Sequence, residues 1–412
     1  MSYKYTYYTC LTNNIDSRIT DTTIEPNLQF NEMRENPIIT NTKDYDVCIT
    51  NFKLDTKTLP SFIPIIKYNN SQNLSDRQKN TTIYELTYSV TVNGTTYSHT
   101  QPIYFKPQDT TISSSPPEFI NGSANYKSGY YNIYNYENFF TLLNTALRSA
   151  ILGLQSTYDS YHGNNAFNVR FGDSTQTSFN NFQIPSIIFD KDTKLAYINA
   201  PVKNFDNTSS NCLSLYFNAP LYRLLDSLPF TKIILNSSTR DSATGLPIQK
   251  QQELFKLNFN NFENSNVISL YPKTYLQNSV QTVKVDHYLI YQDYETLTSW
   301  SPVESIVLAS STLPIAATIV SQNHTYIQGQ ETTEGSSNII EMEMADFRGS
   351  ELKPGIIYDP KILRWINLRD MSELKNISFQ VLFRLKIDGQ LIPLKINSGG
   401  SFGLKLCFRK PK

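Results

Sequence analysis

Near the C-terminal end, in "NISFQVLFRLKIDGQLIPLKINSGGSFGLKLCFRK" (Asn376 to Lys410), Ile377, Phe379, Val381, Phe383, Leu385 and Ile387 fall on every second position. That is the period of a strand with one buried face; a helix would turn Ile377 and Phe379 to opposite sides. Asp388-Gly389 suits a two-residue hairpin, because both residues tolerate positive φ. The chain returns through Leu391 to Ile396, turns at Asn397-Ser-Gly-Gly400, and leaves as Phe402, Leu404, Leu406 and Phe408. The pattern predicts a three-strand antiparallel meander whose last strand is locked inside a sheet. Pro393 places the middle strand at an edge or a bulge.

Upstream, Tyr45 to Leu54 reads as a strand, and "TLPSFIPII" (Thr58 to Ile66), with two prolines, as an extended edge or loop. A polar, Asn-rich surface loop runs on to residue 82. Tyr84, Leu86, Tyr88, Val90 and Val92 then alternate up to Asn93-Gly94, a strong hairpin signal within Ile83 to Phe105. A Pro/Ser/Asn/Gly-rich connection, Asp109 to Gly129, precedes a helix over 136–154. Asn135 caps it, and Phe139, Leu143, Ala146 or Leu147, Ala150 and Leu154 recur at helical spacing. A shorter helix starts at Asn218, with Pro220 in its first turn. Ser186 to Phe189 and Lys194 to Asn199 are strands between the two helices.

From about residue 284 the chain is almost all strand: His287 to Tyr291, Val303 to Ala309, Asn338 to Met344, Gly355 to Tyr358, Leu363 to Leu368, and the terminal meander. Some eight short strands in one compact unit describe a sandwich, and the jelly roll is the common eight-strand solution. The fold class is therefore mainly β, with two β-sandwich (jelly-roll) units at 1–283 and 284–412. The first carries the helices and long loops. Two segments echo each other: a strand precedes Thr58-Leu59-Pro60 and another precedes Thr312-Leu313-Pro314, a candidate duplication or a chance tripeptide.

Composition narrows the function. Among 412 residues, Lys plus Arg equals Asp plus Glu at 36 each, and only 17% are charged. Polarity comes instead from Asn (40 residues), Ser, Thr, Gln and 27 Tyr. Electrostatic capture of nucleic acid needs a basic face, and nothing here signals one. A chain without net charge does not repel its own copies, which suits self-association. Codon bias in an A+T-rich genome would give a similar composition. The sequence predicts no signal peptide and no membrane span. Cys10, Cys48, Cys212 and Cys407 are too scattered for a disulfide framework or a zinc site, so free thiols are expected.

Chemistry-bearing patterns are sparse. His99, His162, His287 and His324 form no ligand pair and read as surface or hairpin residues. No phosphate-binding loop, dinucleotide fingerprint or nucleophile elbow occurs. Glu341 and Glu343 form an acidic stripe or simply a solvated strand face opposite Met342 and Met344. Asp190 and Asp192 belong to a turn. The glycine-rich 397–401 segment reads as a turn before an anion cradle. Carboxylates brought together from distant positions lie beyond sequence reading. No catalytic residues, cofactor or metal ligands are assigned, and the chain is not expected to be an enzyme. The densest aromatic cluster, Tyr130, Tyr131, Tyr134 and Tyr136, offers a subunit contact, a platform for stacking on sugars, or packing of a helix start on a sheet.

The strand ending in "TLPSFIPI", the run "YYNIYNYENFFTLLNTAL", the block "WSPVESIVLASSTLPI" and the terminal alternating stretch together resemble the jelly-roll capsid proteins of small eukaryotic DNA viruses, the virophage and polinton-like group. The resemblance spreads over most of the chain as pattern rather than as one motif. It implies a double jelly roll, a homotrimer tiling an icosahedral shell as major capsid protein, contacts with other capsid proteins, and residence in the virion. A vertex or minor capsid protein, pentameric at a vertex, is the alternative; the chain is short for a major capsid protein of that group. A receptor- or glycan-binding β-sandwich of a viral fibre is the other. The basic N-terminal arm of many capsid proteins is missing: the first twenty residues hold only Lys4 and Arg18.

Overall fold

The computed structural model describes residues 3–11, 29–55, 59–108, 115–172, 184–209, 212–240, 247–260, 265–270, 273–276, 279–282, 285–310, 312–315, 338–342, 355–386, 389, 391–394 and 401–411. It contains two compact units. Unit 1 joins Met1–Ile63 to Ser301–Lys412, and unit 2 is the contiguous stretch Pro64–Trp300.

Unit 1 begins with β1 (Tyr3–Leu11), β2 (Gln29–Met33) and β3 (Asp46–Asp55). Unit 2 opens with α1 (Asp76–Lys79), β4 (Thr81–Val92), β5 (Thr95–Tyr104), α2 (Tyr136–His162) and α3 (Ala166–Phe171). It continues with β6 (Ser186–Phe189), β7 (Ala196–Pro201), α4 (Val202–Phe205), β8 (Leu213–Asn218) and α5 (Ala219–Leu224). Then follow β9 (Phe230–Arg240), β10 (Pro247–Leu257), β11 (Ser265–Leu270), β12 (Lys273–Leu276), β13 (Ser279–Thr282) and β14 (Val285–Tyr291). Unit 1 resumes with β15 (Val303–Ser310), β16 (Asn338–Met342), β17 (Gly355–Tyr358), β18 (Ile366–Asn367), β19 (Asn376–Leu385), β20 (Leu391–Pro393) and β21 (Ser401–Arg409).

The expected boundary at 283/284 cuts through a sheet. β14, after it, lies between β11 and β7, both before it, in the order β11-β14-β7-β6. Strand periodicity marks a strand but not its partner, so the all-β run from 284 gave no sign that its first strand belongs with unit 2. The two β-rich units are nested rather than consecutive.

Unit 1 holds two five-stranded antiparallel sheets. One runs β1-β21-β3-β17, with β18 also on β3; the other runs β16-β15-β19-β2, with β20 also on β19. β19 and β20 form the expected hairpin: Leu382 faces Pro393, Arg384 faces Leu391, and Gly389 sits at φ 70°. Asp388 and the 397–400 turn lie outside the described residues. The meander ends there. β21 does not add to β20 but enters the other sheet, with Leu406 between Thr6 of β1 and Ile49 of β3. Two long neighbours hydrogen-bond both of its edges, whereas β20 is three residues long and ends in a proline, which cannot donate to a ladder. The expectation that this strand is locked inside a sheet is met, by partners in the first 55 residues of the chain. Phe402, Leu404, Leu406 and Phe408 are buried, each contributing about 1.5–3 kcal/mol.

The second faces are not all polar. Leu382 is buried beside Val307, Ala309 and Leu391, so the middle of β19 is covered on both sides. Cys407 and Cys48 sit directly opposite each other across β21 and β3, both buried. Burial, reinforced by the neighbouring thiol, pushes the Cys48 thiol up to about 12. The two Thr-Leu-Pro segments follow β3 and β15, which lie in different sheets of the same unit, so the echo does not relate one unit to the other.

Unit 2 contains a five-stranded sheet, β5-β4-β8-β10-β9, the four-stranded sheet around β14, and the ribbon β12-β13. The β4–β5 turn has Asn93 at φ 50° and Gly94 at φ 78°, as a two-residue hairpin with matching twist requires. α2 is longer than the sequence predicts. Tyr158 extends the apolar stripe past Leu154, and the helix stops before Gly163 at φ 95°. The Asn135 side chain accepts from the Glu137 amide at 2.9 Å, the expected cap. Asn144 binds both the N–H and the C=O of Ile187 on β6 at 2.8 Å, fixing helix to sheet. Gly153 lets His99 of β5 approach closely: a Cβ there would lie 2.2 Å from its Nε2. Asn218 caps α5 through the Leu221 amide and also bonds Glu85 N–H and Ile83 C=O of β4. The polar loop before residue 82 ends in an unforeseen one-turn helix, α1, closed by a Ser75–Gln78 capping box.

Candidate assembly surface

The four tyrosines divide by burial. Tyr131 is fully buried; its hydroxyl donates to the Lys79 carbonyl at 2.9 Å, and its ring meets Phe105, Tyr126 and Tyr130. Tyr130 is buried against Phe105 and accepts from Asn80 at 3.2 Å. Tyr136 packs edge-on to Trp300 and Phe189, where Phe139 and Phe140 of α2 also converge. As stacking platforms these three are corrected to core: they seat the start of α2 within unit 2. Tyr134 alone stays half-exposed, accepting from Asn132.

Other candidates resolve similarly. Asp190 accepts from the Asp192 amide and the Thr193 hydroxyl, which hold its carboxyl below the usual range; it is a turn residue. His162 stacks on Tyr158 at 4.3 Å near the exposed end of α2. His287 corrects the surface reading. It lies in β14, paired on both sides by β11 and β7, and is only 2% exposed. Periodicity gave no hint of this, since Tyr288, Leu289 and Ile290 beside it are all apolar or aromatic. His324, Glu343 and 397–400 fall outside the described residues, as does the side chain of Glu341. Among the described residues no group of three His, Cys, Asp or Glu could hold a metal ion. No described helix is long and apolar enough to cross a membrane.

Unit 1 instead presents an apolar flank. Its exposed large hydrophobic residues, among those described, are Met33, Ile357, Ile362, Leu363 and Met371. All lie on β2 or on the chain from β17 to β19. These segments are tied together: Arg34 N–H donates to the Lys375 carbonyl, Ile39 pairs with Leu374, and Thr42 donates to the carbonyls of Ser372 and Asp370. β17 and β18 pair with the same edge of β3, so residues 359–365 loop outward between two anchors. At the loop's end Trp365 stacks under the Arg409 guanidinium at 4.1 Å. Arg409 pairs with buried Asp46 at 3.0 Å, and Asp46 also accepts from Asn367. The tip is thus held out on a fixed base, with Ile362 87% exposed. The sequence reading placed a strand over Leu363 to Leu368 and missed the flank, because an apolar pair in a strand-like run reads as core.

The family described as Sputnik minor capsid protein V18/19 matches residues 6–410. The chain belongs to that family. A curated relative, the uncharacterized protein V18 of Sputnik virophage, is 31% identical over 123 residues, which are 29% of this chain and 69% of that one. A chain in the cryo-EM structure of the Sputnik virophage superimposes with TM-score 0.64 at 20% identity, covering 98% of each chain. The mavirus penton protein crystal structure gives TM-score 0.55 at 14% identity, covering both chains fully. These two likenesses carry the fold, a mainly β jelly-roll type found in virophage capsid proteins. Membership in the V18/19 family makes the chain a capsid structural protein, a component of the virion rather than an enzyme. It also moves the role from the expected major capsid protein to a minor one, the alternative the sequence left open.

Proposed function

We propose that this protein is the vertex protein of a virophage-type icosahedral capsid, forming a five-fold ring and contacting the surrounding shell proteins. The observation that carries the reading is the inequality of the two units. A trimer fills a six-neighbour position in a shell when each chain supplies two interchangeable units. Here unit 1 is a helix-poor pair of five-stranded sheets, while unit 2 is an insertion built around a 27-residue helix. Such a chain does not repeat itself around a six-fold position, but identical copies in one orientation close a cyclic ring. The full-length likeness to a penton protein supports the same reading. A glycan-binding module is less well supported, because burial removes three of the four tyrosines on which it rested.

The test is the stoichiometry of the purified full-length protein by native mass spectrometry, with class averages from negative-stain microscopy. Five-fold rings are expected. Trimers would return the protein to the shell facets.

A further inference from the structure

We infer that the apolar flank of unit 1, centred on β17 and the 359–365 loop, seats the β1 edge of a second copy of this chain, so that the β1-β21-β3-β17 sheet continues from one copy into the next. The inference deepens the ring reading above and rests on it.

Strand polarity names the occupant. Every pairing within this sheet is antiparallel, and its two ends are β1 and β17. Each has a neighbour on one side only among the described strands. β1 and β17 run in opposite directions, so the β1 of another copy placed beside β17 extends the sheet without a change of pattern. The rungs agree as well. Thr9 pairs with Gly403, Gly403 with Lys53, and Lys53 with Ile357. Ile356, Ile357 and Tyr358 of β17 therefore share rungs with Cys10, Thr9 and Tyr8 of β1. An open strand edge is a template for another strand, and joining unlike edges gives a heterologous contact that repeats until the ring closes.

The flank's chemistry suits a copy of the same chain. Ile357 on β17 and Ile362 and Leu363 on the loop that follows it are exposed and supply apolar contact. Exposed charges of both signs surround them: Lys361, Arg364 and Arg369 with Asp359, Asp370 and Glu373. With zero formal net charge, copies meet without overall repulsion. A strongly basic or acidic partner would find no matching field there.

The experiment uses the full-length protein in two arms. In the first, Ile362→Asp and Ile357→Lys are compared with wild type by sedimentation velocity across a concentration series. Val169→Asp, a similarly exposed residue on unit 2, is the control. The flank variants should keep the wild-type circular dichroism and melting temperature yet associate about 30-fold more weakly or worse, as loss of interface anchors does. The control should assemble normally. In the second arm, a chain carrying Ile357→Cys is mixed with one carrying Thr9→Cys, both with Cys10→Ser, under mild oxidation. A disulfide between the two variants is expected, with neither variant linking to itself. Self-linking of the Ile357→Cys chain, rings indifferent to the flank substitutions, or wild-type protein that stays monomeric would each overturn the inference. The ring reading is judged separately: wild-type trimers that still fall apart on Ile362→Asp would reject five-fold symmetry and retain the flank.

Discussion

Unit 2 is built from one continuous stretch, and unit 1 from two stretches more than 230 residues apart. In unit 2 many pairings are local: β4 folds back on β5 across Asn93-Gly94, and β9 on β10. In unit 1, β21 has as neighbours β1 and β3, both from the first stretch of the chain. The contrast bears on stability. A local element can lose one contact and keep its shape. A strand held on both edges by distant partners is the only joint between them, and losing it separates the halves of a sheet.

The severest way to probe that contrast is Leu406→Asp. It places an unpaired carboxylate at a fully buried site in the central strand, and no soluble protein with an intact unit 1 is expected. Lys405→Asp, one position along on the more accessible face, should fold. Alkylation of Cys48 and Cys407 reports the outcome, because both thiols are buried and Cys48 is held in its unreactive form until the sheet opens. Of these two and Cys212, the half-buried Cys212 of unit 2 should label first in wild type.

Next comes Arg409→Met, which strands buried Asp46 without its cation and removes the stack on Trp365. A loss of about 3–5 kcal/mol is expected in the transition that exposes Cys48 to alkylation. Equal loss in the unit 2 transition would mean that the two units melt as one. In unit 2, Asn218→Ala deletes a helix cap and two bonds to β4 together, for about 2–3 kcal/mol, read in denaturant titration as a shift of the unit 2 midpoint. The smallest effect belongs to Asn135→Ala, which removes only the cap of α2. About 1 kcal/mol is expected, since tertiary packing of the apolar stripe holds the rest of the helix.

The same contrast explains what the sequence disclosed. Cap, turn and period are local signals, so α2, α5, the β4–β5 hairpin and the β19–β20 hairpin were legible with their controlling residues Asn135, Asn218, Asn93-Gly94 and Gly389. Partner choice is not local. Nothing in "SFGLKLCFRK" states that it lies between β1 and β3 rather than beside β20, and nothing at residue 284 marks β14 as part of the earlier unit. The site fared likewise. Aromatic density drew attention to Tyr130, Tyr131, Tyr134 and Tyr136, but density does not distinguish core from surface. The flank, made of single exposed residues on segments joined by tertiary contacts, left no signature in any one window.

Nesting one unit inside another also imposes a schedule on synthesis. All of unit 2 has been translated once Trp300 is made, and contiguous domains fold as they emerge, at roughly 5–20 residues per second. Among the described strands β1 has no neighbour but β21, so it waits through another hundred or so residues, on the order of 5–20 s. During that delay the nascent chain has no completed β1-β21-β3-β17 sheet to offer a neighbour.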